Sequence, residues 1–242
     1  MKVLKHGLLL LTTVVCFASA HAQTVNDIVN KNIDAMGGKS KLSQLKSIHM
    51  DMSMQMMGND VASSVTIVEG KGVRSETDVQ GQKIIQVVTD KGGWMINPMM
   101  GATTPQALPE EQAKQSEGQL YATGPLYNYA ARGNKVELQG QEKVGDVNAY
   151  KLKVTTKDSS ETTYYLDPTT YYIIQVVKSG EMMGNPVTIT VTNSDFQKTP
   201  EGYVLPRTIQ TDMGGQFSMT AKVTKIDINP AVDTSIFEMP KQ

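Results

Sequence analysis

The sequence predicts a mainly β protein of the α+β class, built on one antiparallel sheet of roughly eleven to thirteen strands. Three observations lead to this prediction. Most of the chain alternates between apolar and polar residues, which is typical of strands with one buried face. Short breaks rich in Gly, Asn and Asp separate these segments, and connections of this length join antiparallel neighbours. Helical patterns occur only near the start and in the middle, unlike the alternating order of a parallel sheet.

The first 22 residues have the pattern of a secretory signal peptide. Lys2 and Lys5 give a short positive region, an apolar run follows from residue 8 to residue 18, and Ala20 and Ala22 are the small residues that a signal peptidase reads. The run is too short to span a bilayer, which needs about 20 apolar residues. We therefore expect cleavage after Ala22 and secretion into the periplasm.

The mature chain, residues 23–242, is expected to form a single domain without disulfides. The only cysteine, Cys16, lies inside the signal peptide and lacks the small residue that precedes a lipidation site. With 23 basic and 24 acidic residues, the whole chain is nearly neutral. Because nucleic-acid binding requires a basic face, we expect no nucleic-acid partner. We also expect the protein to be a monomer.

An amphipathic helix is predicted directly after the cleavage site. Thr24 and Asp27 form a capping-box-like start, and Gly37-Gly38 ends the pattern. The apolar residues between them share one helical stripe, namely Val25, Ile28, Val29, Ile33 and Met36. A second helical turn is predicted from residue 40 to residue 46.

The clearest strand follows at residues 47–56. Every even position from Ile48 to Met56 is apolar there, and the positions between them are polar. Further strands are predicted near 61–69, 72–79, 82–89, 93–97, 135–139, 142–145, 148–156, 161–167, 171–178, 187–194, 203–211 and 216–228.

Residues 98–134 interrupt the strands and show little alternation. Acidic residues directly after Pro109 predict a helix that continues to about Tyr121, and a second helix is predicted from Pro125 to about Gly133. Because the apolar content of this segment is thin, we expect its local opening to cost little free energy.

Residues that catalysis and metal binding need are scarce. His49 is the only histidine of the mature chain and lies on the polar face of a strand, where a solvated side chain is the simplest interpretation. Clustered His and Cys ligands and a Gly-rich phosphate motif are both missing from the sequence. The sequence therefore predicts no catalytic residues, no metal and no cofactor. An envelope hydrolase that uses paired carboxylates is a minor alternative.

Methionine is unusually frequent, with 15 residues against four Phe and one Trp. Its side chain is flexible and polarizable, so it packs against irregular partners. Three interpretations remain open: ordinary core packing, a deformable lining for a lipid-like ligand, and a copper(I) site of thioether ligands.

Several segments resemble the LolA-like carriers of outer-membrane lipoproteins. Val87 to Pro98 is similar to that family's strand, turn and strand with Trp and Asn-Pro, and Thr234 to Pro240 is similar to its final strand and Phe…Pro ending. Residues 33–38, 124–126 and 164–168 resemble a LolA-related branch. Together these segments span most of the mature chain.

The resemblance implies a curved, unclosed antiparallel sheet of about eleven strands, with helices covering its concave side and an apolar space for acyl chains between them. Residues 98–134 would form a mobile lid. We expect the apolar space to be lined by Met50, Met52, Met54, Trp94, Ile96, Met99 and Met100. We expect it to be covered by Leu120, Tyr121, Leu126 and Tyr127.

The family also has a functional arginine on an early strand, in contact with the lid. Arg74 is the nearest match, so the resemblance implies a lid contact for Arg74. Strict alternation instead groups Arg74 with Glu76 and Asp78, away from the apolar face.

Two functions follow from the resemblance. The first is a non-enzymatic carrier in lipoprotein sorting and outer-membrane biogenesis, with an acylated lipoprotein or another lipid as cargo and handover partners at the inner and outer membranes. The second is a sensor or regulatory module that reads lipid or mislocalised lipoprotein. A carrier would release its cargo to a membrane receptor, whereas a sensor would keep a stable protein partner.

Overall fold

The computed structural model describes residues 23–56, 59–182 and 185–241. The predicted signal peptide and Cys16 lie outside these residues. Within them, no helix combines the length and the apolar character that a membrane crossing requires.

The described residues form thirteen strands in one curved antiparallel sheet that is not closed into a barrel. The strands are β1 (Ser47–Met56), β2 (Asn59–Val68), β3 (Gly72–Val79), β4 (Gln82–Thr89), β5 (Gly92–Asn97), β6 (Ala102–Ala107), β7 (Lys135–Val144), β8 (Val147–Thr155), β9 (Glu161–Leu166), β10 (Ile173–Met182), β11 (Asn185–Lys198), β12 (Val204–Met213) and β13 (Phe217–Ile228). Their spatial order is β6-β5-β4-β3-β2-β1-β13-β12-β11-β10-β9-β8-β7.

Pairing between β1 and β13 joins two meanders into this single sheet. The first meander runs from β1 to β6 and the second from β7 to β13. Ile48 pairs with Ile228 and Met54 with Ala221, with an irregularity after Asp51. Since β6 and β7 remain free edges in the described sheet, the strands curve around a concave face without closing it.

Helices cover the two ends of the concave face. The helices are α1 (Val25–Ala35), α2 (Lys39–Leu42) and α3 (Glu110–Ser116), and the 3-10 turns are Pro98–Met100, Glu117–Leu120, Ala130–Arg132 and Thr234–Phe237. The capping box expected at Thr24 and Asp27 is present. α1 packs Ile28 and Val29 against β7, β8 and β9, and α3 packs Ala113 against β3 and β4.

Most predicted strands are confirmed within a few residues, and two predictions in the strand pattern are wrong. Ala102–Ala107 was expected to be irregular, yet it forms edge strand β6 beside β5. Its proline is tolerated because an edge strand leaves one side of its backbone unpaired. The separate strands expected at 135–139 and 142–145 are one strand, β7, which is interrupted by an irregularity at Gly140 with a φ of 95°.

The helical predictions for residues 98–134 are correct only in part. The helix expected from Pro109 to Tyr121 ends at Ser116 and continues as a 3-10 turn. The helix expected from Pro125 is replaced by turns that end in the 3-10 turn Ala130–Arg132.

The C-terminal segment packs on the convex face of the sheet. Thr234–Phe237 is a 3-10 turn and not the final strand that the resemblance implied, because the Asp233 side chain accepts a hydrogen bond from the Ser235 amide and caps the turn. Phe237 packs against Val87 and Trp94, and the Trp94 indole N–H donates to the Phe237 carbonyl at 2.9 Å. This contact ties the end of the chain to β4 and β5.

Glycine at position 72 makes this close approach possible, and substituting it should destabilise the protein. A Cβ atom there would lie 2.7 Å from the Phe237 ring, whereas a Cβ at Gly118 would meet nothing within 4 Å. We expect Gly72→Ala to lower the free energy of unfolding by about 1–3 kcal/mol, and Gly118→Ala to lower it by much less. Urea denaturation measures both values.

The loss in free energy of unfolding caused by Gly72→Ala should be smaller in a Phe237→Ala background, because the clashing ring is then removed. Equal losses in the two backgrounds would show that the ring is not the cause.

Candidate functional site

The inner face of the central strands carries many apolar side chains, which Lys178, Asn193 and Thr211 interrupt. These apolar side chains point inward from β1 and from β10 to β13, and we call them the concave apolar surface. Its members are Met50, Met52, Met54, Val176, Ile189, Val191, Ile209, Val223 and Ile226.

Alternation along β11 shows how the sequence creates this surface. Val187, Ile189 and Val191 point inward, and the three threonines between and after them, Thr188, Thr190 and Thr192, point outward. The outward residues form a polar convex face. The inward residues leave apolar area inside the curve of the sheet.

The clusters that the helices form with the sheet use other residues than these nine. The cluster around α1 uses β7, β8 and β9, the cluster around α3 uses β2 to β5, and α2 packs with Tyr203 and Ile228. No residue of the concave apolar surface belongs to any of the four hydrophobic clusters found in the described part of the chain. Met54 and Val223 are buried, and the other seven are half-buried.

The four residues expected to form a cover lie on the concave side. Leu120 and Tyr121 pack in the α3 cluster, Leu126 packs with α1, and Tyr127 packs with Leu42 of α2. They hold residues 98–134, which we call the lid segment, against the two ends of the concave face. Whether they cover a ligand stays a prediction.

Four of the residues expected to line the site lie elsewhere. Trp94 and Ile96 point to the convex face, where they pack in the cluster around Phe237. Their positions alternate with Met95, which packs on the concave side, so the two residues cannot face the same space as Met52. Met99 and Met100 are 56% and 76% exposed on a 3-10 turn between β5 and β6. The expectation that these four join the lining is wrong.

Arg74 does not contact the lid segment in the way that the resemblance implied. Its Nε donates to Glu76 at 2.7 Å, and its Nη1 donates to the Ile236 carbonyl at 2.8 Å. Alternation places it on the convex face with Trp94, as the strand pattern indicated. Arg74 therefore fixes the C-terminal segment.

A different arginine, Arg132, ties the lid segment to the sheet. Its Nη2 donates to Glu69 at 3.1 Å and to the Thr123 hydroxyl at 2.6 Å, and its Nη1 donates to the Gly124 carbonyl at 2.8 Å. The guanidinium lies 3.7 Å from the centre of the Tyr121 ring. Burial lowers the pKa of Arg132, and the Glu69 carboxylate opposes that shift. We call these four residues the Arg132 clasp: Glu69, Tyr121, Thr123 and Arg132.

A narrow cleft of about 70 Å³ lies between the lid segment and β8 and β9. Tyr121 and Arg132 line it from the lid segment, and Thr162 and Tyr164 line it from the sheet. Burial raises the pKa of Tyr164 to about 12, so its hydroxyl stays protonated at neutral pH. The cleft marks where the lid segment meets the inner face of the sheet.

Two basic side chains on the inner face were missed by the sequence analysis. Lys178 is half-buried beside Ile189, and burial lowers its pKa. Arg207 is half-buried beside Val223, and its Nε is buried without a hydrogen-bond partner. The signal for Lys178 was present in the sequence, because it is the charged residue at an inward position between Val176 and Gly180.

His49 lies on the convex face, as the strand pattern predicted. Its Nδ1 is 2.8 Å from the Thr66 hydroxyl, and its Nε2 is 3.2 Å from Asp51. In the described ranges, no group of three or more His, Cys, Asp or Glu side chains is arranged to hold a metal ion.

No protein-family model and no curated protein matches the sequence. Solved structures do match the fold. A LolA superfamily protein from Nitrosomonas europaea has a TM-score of 0.58 at 12% identity, over 90% of this chain and 98% of that chain. A DUF1329 family protein from Desulfovibrio piger has a TM-score of 0.55 at 14% identity, over 90% and 98% of the two chains.

A third structure bears a more specific description. It is a putative outer membrane lipoprotein-sorting protein domain from Vibrio parahaemolyticus, with a TM-score of 0.53 at 13% identity, over 87% of this chain and 94% of that chain. Together with the open, curved sheet and its helical cover, these likenesses show that the chain has a LolA-like fold.

Proposed function

We propose that this protein shelters the acyl chains of a lipoprotein or of another lipid on its concave apolar surface while the cargo crosses the periplasm. The observation that carries the proposal is the set of apolar side chains on the inner face of β1 and of β10 to β13, which belong to none of the helix-packed clusters of the described residues. A fold ordinarily packs such side chains against its own helices, so their separation from those clusters favours a ligand.

The energetics fit this role. Transfer of a 16-carbon chain from an apolar environment to water costs about 12 kcal/mol of free energy, at about 0.8 kcal/mol for each methylene. An aqueous compartment therefore slows its transfer between membranes. Flexible methionine side chains at Met50, Met52 and Met54 would adapt to chains of different shape.

Access would depend on the lid segment. A surface groove of about 720 Å³ is lined by α1 and by residues 126–131 of the lid segment. On the inner side, the Arg132 clasp joins the lid segment to the end of β2 through Glu69. We propose that opening of this clasp lets the lid segment separate from the sheet and admits an acyl chain.

The remaining features of the proposal come from the sequence and from the names of the similar structures. Residues 1–22 would direct export and be removed, leaving a monomeric, non-enzymatic domain of residues 23–242. We further propose handover partners at the inner and outer membranes. The lipoprotein-sorting description of the Vibrio parahaemolyticus structure supports a role in sorting.

Acyl binding can be tested with cis-parinaric acid methyl ester, a neutral fluorescent chain. We expect saturable binding to the wild type. Met52→Glu should weaken it by at least about tenfold, because it places a charge on the concave apolar surface. Ser53→Glu is the matched control on the opposite face of β1 and should leave the affinity unchanged.

Native mass spectrometry of protein purified from its own cell envelope provides an independent test. A co-purifying lipid or acylated protein is the expected result. A clean apo mass, together with no uptake of the methyl ester, would contradict the carrier.

The Arg132 clasp predicts local stability of the lid segment. Glu69→Ala leaves the Arg132 guanidinium without its carboxylate, so local opening should become easier by about 2 kcal/mol. Hydrogen exchange should accelerate at the amides of Gly124 and Gly133, which donate to carbonyls of the lid segment, and stay unchanged at Leu152 in β8. The Thr123 amide is unsuitable because it donates to Glu69 itself.

The matched control for the clasp is Glu117→Ala. Glu117 is half-buried and pairs with the exposed Lys157 at 3.5 Å, so loss of this single ion pair should have little effect. Equal acceleration in both variants would rule out the clasp as the principal tie.

A further inference from the structure

Two partly buried basic side chains on the concave side have no ion-pair partner among the described residues. Six basic residues of the described chain are not fully exposed: Arg74, Arg132, Lys151, Lys153, Lys178 and Arg207. The first four each form an ion pair with a glutamate. Lys178 and Arg207 form no ion pair with any described residue, although partly buried charges are normally paired.

The surroundings of Lys178 on the inner face are apolar apart from the hydroxyls of Thr162 and Tyr164 on β9. Its cross-strand neighbours are Thr162 on β9 and Ile189 on β11, and its neighbours on the same face of β10 are Val176 and Gly180. Lys178 is half-buried, so part of its side chain lies against these residues. Burial lowers the pKa of Lys178.

Lys178 and Thr162 lie where the concave apolar surface meets the cleft under the lid segment. Thr162 lines that cleft, and Ile189 belongs to the apolar surface. Lys178 and Thr162 are therefore cross-strand neighbours, with Thr162 at the cleft and Lys178 beside the apolar residues of the inner face. This pair of donors matches the two oxygens of a single carboxylate.

Arg207 belongs to a separate position. The β12 residue in line with Lys178 is Met213, and Arg207 lies six residues before it, about 20 Å along the strand. The two cations are too far apart to bind one small anion. Arg207 thus serves as an internal comparison for Lys178.

We propose that the cargo on the concave apolar surface is a long-chain fatty acid whose carboxylate binds Lys178 and Thr162. This inference rests on the proposed acyl-binding function and narrows its cargo. A neutral acylated peptide would leave the ammonium unpaired inside the complex. A phospholipid would add glycerol esters and a second chain, for which the described residues around Lys178 offer only the Tyr164 hydroxyl, and that hydroxyl interacts with Thr162.

The test compares cis-parinaric acid with its methyl ester, because the two differ only in the charge of the head group. We expect the wild type to bind the acid about tenfold more tightly than the ester. Lys178→Met should abolish this preference and leave the affinity for the ester within about threefold. Retained ester binding also shows that the variant is folded.

Two control variants locate the effect. Lys222→Met removes an exposed charge from the convex face of β13 and should keep the preference for the acid. Arg207→Met should keep it as well. If Arg207→Met loses the preference for the acid and Lys178→Met keeps it, the assignment to Lys178 is overturned.

The remaining outcomes separate this inference from the proposed function. Equal binding of acid and ester by the wild type would overturn the fatty-acid inference and leave acyl binding intact. If the wild type binds neither the acid nor the ester, both the fatty-acid inference and the proposed acyl-binding function are overturned. Displacement of the ester by phosphatidylglycerol micelles at lower lipid concentration than by palmitate would identify a phosphate head group and overturn the carboxylate.

Discussion

The structure depends on a mismatch between a long curved sheet and the short helices available to cover it. Pairing of β1 with β13 joins two meanders into thirteen strands, so the concave face is large. The α-helices α1 and α3 have 11 and 7 residues, and they cover only the two ends of that face. Ile173 of β10 packs with α1 and Ile228 of β13 packs with α2, whereas other inward apolar side chains of the central strands, such as Met52 and Val191, belong to no helix-packed cluster of the described residues. The proposed acyl binding depends on those side chains.

Much of this architecture could be predicted from the sequence, because strands with one buried face have a strong period of two. The alternation from Ile48 to Met56 placed β1 and its inward methionines correctly. Alternation also placed Arg74 on the convex face, and there it was a better guide than the family resemblance. The resemblance implied that Trp94 and Ile96 line the site, but the alternation of side chains along β5 already placed them on the opposite face.

The features that could not be predicted arise from contacts between distant segments. β6 contains a proline that reads as a strand breaker, and its edge position becomes visible only in the assembled sheet. The Arg132 clasp joins residues 63 positions apart, so local patterns give no signal for it. The unpaired state of Lys178 depends in the same way on which residues of β9 and β11 become its neighbours.

The central claim is that an acyl chain lies along the inner face of β1 and of β10 to β13. Photo-crosslinking with a neutral alkyl chain that carries a diazirine, followed by peptide mapping, tests it most directly. The account predicts saturable labelling of inward residues such as Met52, Val191 and Ile209, in competition with unlabelled chain. Labelling confined to the convex face, or labelling that no competitor reduces, would contradict it.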